Sequence, residues 1–434
     1  MSYQTAITDL FSLRRFGIKP GLKNITALLA ALGNPHHHLN IIHIAGTNGK
    51  GSTAAFLQTI CNLAGYQAGL FTSPHLIDFC ERIKINNTRI SKKWVVELIR
   101  TIKTACRKNR LDNITFFEFT TAMAFLYFKQ NNADPVIVES GLGGRLDATN
   151  IVDPLCAIIT NAGLEHQKYL GRTLAEITGE KAGIIKKNRP LVCGVSQPNS
   201  RKIIETECKK KSSPVYFLKT DFRTKVLSEN SFCYTSPFAE ITEIRCGLRG
   251  RHQFSNAALA VKTAEILRGK AYRISNDHIR SGIGRVSWPG RLETVAQQPA
   301  VILDGAHNPA AWKCLKSVIE QEFIFNKLFL IIGILEDKNL KRFIELLPPL
   351  AHSSFFCKPA VPRAADKEIL KKYIVFSDNN RLFWYDNSIS ALKETYAQAA
   401  PNDIILVTGS LFIVGEIRQY LQNKKTTVSG RIPL

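Results

Sequence analysis

The stretch from His43 to Phe56 constrains the fold of this chain more than any other part of its sequence. It reads HIAGTNGKGSTAAF, so an apolar segment enters a glycine-rich loop and leaves as a helix-forming segment. Such strand–loop–helix units build α/β proteins with parallel sheets. The loop departs from the usual phosphate-binding pattern G-x-x-x-x-G-K-[ST], because Ile44 stands at the first glycine position and Gly51 follows Lys50. The sequence therefore predicts an α/β fold, and it leaves open whether the loop binds phosphate or is an ordinary turn.

The same order of strand, glycine turn and helix recurs along the chain, as in PVIVESGLGG and LCAIITNAGLEH. Residues 230–245 alternate in polarity, which favours a hairpin. Near SWPGRLETVAQQP the pattern is interrupted by prolines, and a new α/β series begins with AVILDGAHNPAAW. We therefore predict two domains, 1–295 with a mostly parallel sheet and 296–434 as a smaller α/β domain, joined near residues 293–299.

Four features of the loop at residues 46–51, called the glycine loop, suit phosphate binding. A strand ending at Ala45 and a helix starting near Gly51 direct backbone N–H groups and the positive helix end at one point. The glycines allow close approach of an anion, Lys50 supplies a positive charge, and Ser52 or Thr53 a hydroxyl. Together they favour a phosphate site over a plain glycine turn.

Three polar residues follow predicted strands and are candidate magnesium ligands. Glu139 ends one strand, while Ser73 and His166 follow two others. Ligands of open α/β sheets bind beyond the carboxyl ends of strands, and Mg²⁺ takes a few oxygen ligands with phosphates and water. Each residue also has a structural interpretation: a helix cap for Ser73, an ion pair for Glu139 and a surface position for His166.

Further candidates lie at helix ends and in the second domain. Lys181, in GEKAGIIKK, is a surface charge unless it stands near metal ions, where a carbamylated lysine acts like a carboxylate. In LDGAHNP, Asp304 and His307 stand on a strand-to-helix loop suited to ribose and phosphate contacts. Arg291 in WPGRLE is either a phosphate ligand or a partner in a surface ion pair.

Composition excludes several classes of protein. The chain has 434 residues, 45% of them hydrophobic, with no apolar run long enough to span a bilayer and no signal-peptide pattern, so we expect a cytoplasmic globular protein with no membrane association. Its ten cysteines are scattered and form no zinc or disulfide framework. The net charge of +23 is compatible with nucleic acid, but the basic residues are dispersed and no nucleic-acid motif is present, so small polyanions are the better match and we expect no nucleic-acid partner.

Taken in order, the motifs resemble one family over nearly the whole chain. They are HIAGTNGKGS, SPHL with ERIKIN, ESGLGGRLDATN, EKAGI, GRHQFSNAALA, WPGRLE, DGAHNP and TGSL. This series is similar to the folylpolyglutamate synthases and dihydrofolate synthases of the Mur-ligase superfamily, which use the shortened G-T-N-G-K-G-S loop. The sequence departs from the family at Glu165, where Asp is common, and at Gly179, where Ala is common.

The resemblance implies a P-loop ATPase domain of Mur-ligase type, a C-terminal Rossmann-like glutamate-ligase domain and a set of site residues. The implied catalytic residues are Lys50, Lys181 and His307, with Lys181 carbamylated (N6-carboxylysine). The implied magnesium ligands are Ser73, Glu139 and His166. The implied ATP contacts are Asn48, Gly49, Lys50, Gly51, Ser52, Asn256, Arg291 and Asp304. The implied folate contacts are Lys19, Pro20, Gly21, Phe117, Glu118, Phe119, Thr120, Leu146, Asp147 and Ala148.

The resemblance also implies an activity, in which ATP-dependent acyl-phosphate chemistry joins L-glutamate to dihydropteroate and to folate polyglutamates. The alternative is a folylpolyglutamate synthase without dihydrofolate synthase activity. Two further alternatives are a cell-wall Mur ligase and, from another class of protein, a nucleic-acid-dependent ATPase. A cell-wall Mur ligase normally has a further N-terminal UDP-binding domain. We expect Mg²⁺, two ions in number, with potassium as an additional candidate ion. The expected partners are small molecules (ATP, L-glutamate, dihydropteroate and reduced folates), and we expect a monomer.

Overall fold

A computed structural model describes residues 1–17, 19–374 and 381–427, which form two units. The first contains Met1–Gly247 and Gln253–Val286, and the second contains Leu248–His252 and the chain from Ser287 onward. The sequence predicted a division at 295/296. The structure divides the chain nine residues earlier, because the strand Glu293–Gln297 pairs with Ala300–Leu303 of the second sheet.

The first unit is built on an eight-stranded sheet in the order β4-β3-β2-β5-β1-β6-β7-β8. Its strands are β1 (Ile41–Ala45), β2 (Gly69–Phe71), β3 (Ile83–Ile85), β4 (Thr88–Arg89), β5 (Val136–Glu139), β6 (Cys156–Ile159), β7 (Leu191–Cys193) and β8 (Val215–Phe217). Strand β1 is parallel to both neighbours, β5 and β6. Every residue of β1 is buried, as expected for a central strand with both faces covered. The predicted α/β fold with a mostly parallel sheet is confirmed.

Helices and a small antiparallel sheet complete the first unit. The helices are α1 (Tyr3–Ser12), α2 (Lys23–Ala31), α3 (Lys50–Leu63), α4 (Lys92–Lys108), α5 (Phe116–Gln130), α6 (Gln167–Leu170), α7 (Leu174–Ala182), α8 (Pro198–Lys210), α9 (His252–Arg268, whose first residue belongs to the second unit) and α10 (Asn276–Arg285). Short 3₁₀ helices cover Leu13–Phe16, Pro35–His38, Phe79–Arg82 and Ala148–Ile151. The second sheet joins β9 (Arg223–Val226), β10 (Ser231–Thr235) and β11 (Glu240–Arg245). Strands β10 and β11 are antiparallel, which confirms the hairpin predicted at 230–245.

The second unit has a six-stranded sheet of its own, in the order β12-β13-β17-β14-β15-β16. Its strands are β12 (Glu293–Gln297), β13 (Ala300–Leu303), β14 (Leu328–Ile332), β15 (Ser353–Cys357), β16 (Arg381–Tyr385) and β17 (Ile404–Thr408). Its helices are α11 (Pro309–Glu322), α12 (Leu340–Leu346), α13 (Lys367–Lys371), α14 (Ser388–Gln398) and α15 (Leu411–Thr427), with a 3₁₀ turn at Pro348–Leu350. Only β12 runs antiparallel to its neighbour. The core of this unit centres on Trp312, whose indole is fully buried.

Candidate active site

The glycine loop connects β1 directly to α3, as the sequence predicted. Strand β1 ends at Ala45 and α3 begins at Lys50. Gly49 precedes the helix with φ +80°, a left-handed conformation that glycine adopts without steric cost. A Cβ on Gly49 would stand 2.3 Å from Asn256 Oδ1, and one on Gly46 would stand 1.8 Å from Thr160 Oγ1. A side chain at either position would collide with Asn256 or Thr160, so close packing requires glycine at both.

The loop that follows β6 holds the glycine loop in shape. Asn161 Oδ1 accepts a hydrogen bond from Asn48 N at 2.9 Å, and Asn161 Nδ2 donates to Asn48 O at 2.9 Å. Thr160 Oγ1 donates to the same carbonyl at 2.6 Å. Thr47 Oγ1 donates to Gly163 O at 3.2 Å and accepts from Gly163 N at 3.0 Å. Sequence reasoning missed Thr160 and Asn161 as supports, although the TN pair after a strand was a usable signal.

Lys50 holds a position suited to a phosphate group. Its Nζ donates to Gly46 O at 2.9 Å and to Thr47 O at 3.3 Å, so the charge lies inside the curve of the loop. The same nitrogen lies 4.0 Å from Glu139 Oε1. Ser52 and Thr53, in the first turn of α3, are buried. The loop thus combines a helix N-terminus with one cation, which together can bind a polyphosphate.

Glu139 and Ser73 lie side by side, as the magnesium prediction requires. Ser73 N donates to Glu139 Oε2 at 3.2 Å, and Glu139 is buried at the end of β5. His166 lies on the wall of an open pocket that Lys50 and Lys181 also line. In the described residues no three His, Cys, Asp or Glu side chains converge as a metal site. One buried carboxylate beside a serine, with a histidine on the pocket wall, fits Mg²⁺, which keeps several water and phosphate ligands.

Lys181 is a buried lysine on the wall of the same pocket. Its side chain is 2% exposed near the end of α7. Burial, with the nearby charge of Lys50, lowers the pKa of Lys181 to about 7, and Glu165 opposes the shift. Much of this amine is therefore neutral and nucleophilic at physiological pH. The structural alternative, a surface charge, is wrong.

The four residues of the predicted folate-contact segment lie in the first turns of α5. Phe117 is half-buried, and a Cβ on Gly141 would stand 2.5 Å from its ring. Glu118 accepts hydrogen bonds from Thr115 N and Thr115 Oγ1 at 2.8 Å, in a helix-capping box. Phe119 and Thr120 are buried in the core. Phe117 is therefore the most exposed of the four, and the contact of all four residues with folate stays a prediction.

The predicted contacts in the LDA segment differ in their surroundings. Leu146 is 43% exposed, and its carbonyl accepts from Gly21 N at 3.3 Å, which places the Lys19–Gly21 segment beside it. Asp147 is buried, and its carboxylate accepts from Leu142 N at 2.7 Å and from Thr149 N at 3.0 Å. Burial raises the pKa of Asp147, and these hydrogen bonds oppose the shift.

A buried histidine anchors this loop to the central strand, which sequence reasoning did not anticipate. His43 Nε2 and Thr149 Oγ1 are 2.8 Å apart, and Thr149 Oγ1 donates in turn to Asp147 at 2.5 Å. Burial, with the charge of Lys186, lowers the pKa of His43 to about 3, so the ring is neutral. The chain of hydrogen bonds links β1 to the segment that carries Leu146 and Ala148.

Within the first unit, Asn256 lies on α9 against Gly49 and donates through Nδ2 to Gln253 Oε1 at 2.9 Å. It therefore lies beside the glycine loop, and its contact with ATP stays a prediction.

In the second unit, the predicted nucleotide residues form a group of their own. Asp304 is buried and accepts from Leu292 N at 3.0 Å and Ala306 N at 2.9 Å. Burial raises its pKa, and the charge of Arg291 opposes the shift. His307 Nδ1 and Gly305 O are 2.8 Å apart, and Asn308 caps α11.

None of the ten cysteines, all of which lie in the described residues, forms a disulfide bond, and seven of them are buried. Among the residues that the structure describes, no helix has the length and apolar character needed to cross a membrane.

Comparison with known protein families matches both units. Residues 44–264 match the Mur ligase middle domain, and residues 290–411 match the Mur ligase glutamate ligase domain.

Curated proteins match over nearly the full chain. The dihydrofolate synthase/folylpolyglutamate synthase of Bacillus subtilis is 37% identical over 97% of this chain and 99% of its own length. The folylpolyglutamate synthase of Lacticaseibacillus casei is 30% identical over 98% of this chain and 100% of its own length.

Solved structures show the same fold. FolC of Escherichia coli in complex with DHPP and ADP superposes with a TM-score of 0.87 at 29% identity, over 97% of this chain and 98% of that one. The folylpolyglutamate synthase of Thermotoga maritima gives a TM-score of 0.83 at 35% identity, over 99% and 98% of the two chains.

Proposed function

The chain belongs to the folylpolyglutamate synthase and dihydrofolate synthase family of Mur-type ligases, and we propose that it catalyses both of the ATP-dependent glutamate additions named by that family. In one, L-glutamate joins dihydropteroate to give dihydrofolate. In the other, L-glutamate extends reduced folates to polyglutamates. The observation that supports this best is a single pocket lined by Lys50, His166 and Lys181. The chain that carries this pocket matches a bifunctional relative over nearly the full length of both proteins.

The reaction needs an activated carboxylate. A carboxylate is a poor acyl donor because its leaving group would be oxide. Transfer of the ATP γ-phosphoryl group to a carboxylate oxygen gives an acyl phosphate and ADP. The glutamate amine then attacks the acyl carbon, loses a proton and displaces inorganic phosphate, which leaves an amide. Catalysis of such transfers is chiefly positioning and neutralisation of charge.

In the proposal, residues of the first unit position the reacting groups and neutralise their charge. The glycine loop and Lys50 would bind the ATP phosphates, with Ser52 at the helix start and Asn256 beside the loop. Ser73, Glu139 and His166 would hold Mg²⁺, which when bound neutralises phosphate charge and orients the transferring group. Lys181, as a carbamate, would add a further carboxylate-like ligand. Two Mg²⁺ ions and the potassium ion stay predictions.

In the second unit, Asp304 and Arg291 would contact the nucleotide, and His307 would orient the phosphate or the incoming amine. The monomeric state and the cytoplasmic location stay predictions as well.

The folate site is proposed beside the segment Leu146–Ala148. The ring of Phe117 packs on Gly141 and lies 6.1 Å from the ring of Phe71, so it offers a flat apolar wall. Leu146 and the Lys19–Gly21 segment meet through a backbone hydrogen bond and would cover the pterin. Asp147 would hold this loop in place through its hydrogen bonds to Leu142 and Thr149.

The second candidate is a folylpolyglutamate synthase alone, as the Lacticaseibacillus casei and Thermotoga maritima relatives are named. Purified protein with ATP and L-glutamate is assayed for ADP release with dihydropteroate and, separately, with tetrahydrofolate. We expect turnover of both acceptors, and Lys50→Ala, the matched control, should lower both by at least about a hundredfold because it removes a phosphate-neutralising charge. Turnover of tetrahydrofolate without dihydropteroate would establish the narrower activity, and full activity of Lys50→Ala would refute the phosphate assignment.

A further inference from the structure

Two carboxylates hold the backbone on either side of Arg291 in the second unit. Gly290, Arg291 and Leu292 form a tight turn, which we call the arginine loop. On one side, Gly290 N donates to Glu293 Oε2 at 2.9 Å. On the other side, Leu292 N donates to Asp304 Oδ2 at 3.0 Å. The backbone amides that flank Arg291 are therefore both fixed by side chains.

The arginine loop has a backbone conformation that is costly to hold. Gly290 has φ +72°, and Leu292 has φ +47°. Glycine adopts this left-handed region freely, but leucine does so at a cost because its Cβ approaches the following carbonyl oxygen. Leu292 is 5% exposed and packs in the core of the second unit. Such strain persists only where surrounding contacts determine the conformation, so the loop depends on its two carboxylates.

This conformation places the Arg291 guanidinium at the carboxyl end of β13. Arg291 Nη1 donates to Gly290 O at 3.3 Å, and the same carbonyl accepts from Gly305 N at 2.9 Å. A Cβ on Gly305 would stand 2.7 Å from Arg291 Nη1, so the guanidinium lies directly against this glycine. Ligands of open α/β sheets bind beyond the carboxyl ends of strands, which is where the cation is held.

Glu293 is in turn held by Arg418 on α15. Arg418 Nε lies 3.0 Å from Glu293 Oε1 and 2.9 Å from Oε2, and the two side chains are 12% and 22% exposed. Oε2 therefore accepts from both Arg418 and Gly290 N. Helix α15 is itself fixed to α14, because Glu416 accepts from Ser388 Oγ at 2.6 Å. The Glu293 carboxylate cannot turn away from the arginine loop without losing a charge-assisted pair.

We propose that Glu293 and Arg418 are positioning residues that hold Arg291 for its contact with the ATP phosphates. This inference rests on the proposed function, in which Arg291 contacts the nucleotide. Arg418 fixes the Glu293 carboxylate, the carboxylate fixes Gly290 N, and Gly290 O orients the guanidinium. Without Arg418 the arginine loop is less constrained, so nucleotide binding has to order it at a cost in conformational entropy.

The first test measures nucleotide affinity and kinetics of Arg418→Gln in the full-length protein. Calorimetry with the β,γ-methylene analogue of ATP and Mg²⁺ gives Kd without turnover. We expect Kd for the analogue and KM for ATP to rise about tenfold, the loss of one charge-assisted contact. KM for L-glutamate and for the folate acceptor should change less than twofold. Equal losses for all three substrates, or unchanged nucleotide affinity, would overturn the proposal.

Matched variants separate this role from the loss of an ion pair in general. Arg342→Gln removes the arginine of an exposed pair in the same unit, in which Nη1 lies 2.8 Å from Glu345 Oε2, and it should behave as the unsubstituted protein. Arg418→Lys keeps the charge and should restore part of the nucleotide affinity. Glu293→Ala removes the acceptor of Gly290 N, so it should weaken binding at least as much as Arg418→Gln. Unchanged binding by Glu293→Ala contradicts the proposal, whether or not Arg418→Gln folds well.

A double substitution shows whether Arg418 acts through Arg291. Arg291→Gln alone should weaken binding of the analogue at least about tenfold, because a charged contact with phosphate is lost. If Arg418 acts only by positioning Arg291, the double variant Arg291→Gln/Arg418→Gln should bind no more weakly than Arg291→Gln alone. Losses that multiply would show an independent effect of Arg418, as expected of a purely structural residue, and would overturn the proposal.

The binding measurement distinguishes failure of the proposal from failure of the proposed function. It needs no folate acceptor, so it gives the same answer whether the enzyme uses dihydropteroate, reduced folates or both. Unaltered binding by Arg291→Gln would refute the nucleotide contact of Arg291 and the positioning role together. Weakened binding by Arg291→Gln, with losses that multiply in the double variant, would refute the positioning role alone.

Discussion

Lys181 shows how burial changes the chemistry of one side chain. Its amine is enclosed on the pocket wall with Lys50 as a like charge, and its pKa falls to about 7. The folded state therefore binds fewer protons than the unfolded chain between pH 7 and the ordinary lysine pKa. In that window this residue makes the free energy of unfolding rise with pH, and below pH 7 its full desolvation cost remains. The neutral amine can attack CO₂ and lose a proton to give a carbamate.

We predict that Lys181→Ala lowers the rate of ADP release by at least about tenfold, because an acidic ligand near the phosphates is lost. Added formate or acetate should restore part of the rate by occupying the vacated position. In the unsubstituted protein, lowering the pH below 7 should protonate the amine and reduce the rate, and bicarbonate should oppose that reduction.

Lys187→Ala, which removes an exposed lysine from the following turn, is the control and should keep full activity. Absence of rescue by every small carboxylate tested would leave Lys181 a structural residue.

At the level of single residues, the sequence indicated the chemical role of a side chain better than it indicated which residues surround that side chain. Lys50, Glu139 and Ser73 were predicted from their positions at strand ends, and parallel pairing of β1, β2 and β5 brings them together. The spacing of Thr115 and Glu118 is the sequence signature of a capping box, but the sequence analysis did not use it. The sequence did not indicate Arg418, because its ion pair with Glu293 joins residues distant in sequence.

At the level of elements, the glycine loop is shaped by two other segments. Its own residues set the turn, while Thr160 and Asn161 after β6 and Asn256 on α9 fix its position. The strand–loop–helix order was predictable because it is local. The supporting segments were not, because they depend on the strand order of the sheet, in which β1 lies between β5 and β6.

We predict that Gly49→Ala raises KM for ATP by at least about tenfold and lowers the melting temperature. The left-handed φ of +80° costs an alanine about 1 kcal/mol, and its Cβ would also stand 2.3 Å from Asn256 Oδ1. Gly65→Ala is the matched control, because Gly65 has φ +88° and a Cβ added there would meet no atom within 4 Å. It should lower the melting temperature through backbone strain alone and leave KM for ATP unchanged. Equal kinetic effects in the two variants would show that packing against Asn256 has no role.

At the level of the whole molecule, the sequence predicted two α/β domains that meet at 295/296, and the structure forms two units that divide after Val286. The short segment Leu248–His252 belongs with the second unit although it lies within the first in sequence. No local sequence pattern indicates that Leu248–His252 packs with the second unit. That packing depends on contacts such as the one between Arg249 and the ring of Phe323, 4.9 Å away.

The distribution of thiols gives a prediction for the intact protein. Seven of the ten cysteines are buried, while Cys106, Cys233 and Cys314 are partly accessible. Burial raises the pKa of thiols such as Cys61 and Cys193 to about 12, which removes the reactive thiolate. Ellman's reagent should label at most three thiols rapidly in the native protein and all ten in denaturant. Rapid labelling of more than three would contradict the described burial.

The support of the glycine loop by Thr160 and Asn161 has a consequence for the order of events during synthesis. More than a hundred residues separate the loop from these two side chains, so the nascent chain carries every glycine and Lys50 long before the loop acquires its shape. If the glycine loop binds the ATP phosphates as proposed, we expect nucleotide affinity to arise late, after β6 has joined β1 and the residues that follow β6 have left the ribosome. ATP would then bind only a chain whose central sheet has already assembled, and its binding energy would stabilise that sheet against partly folded forms.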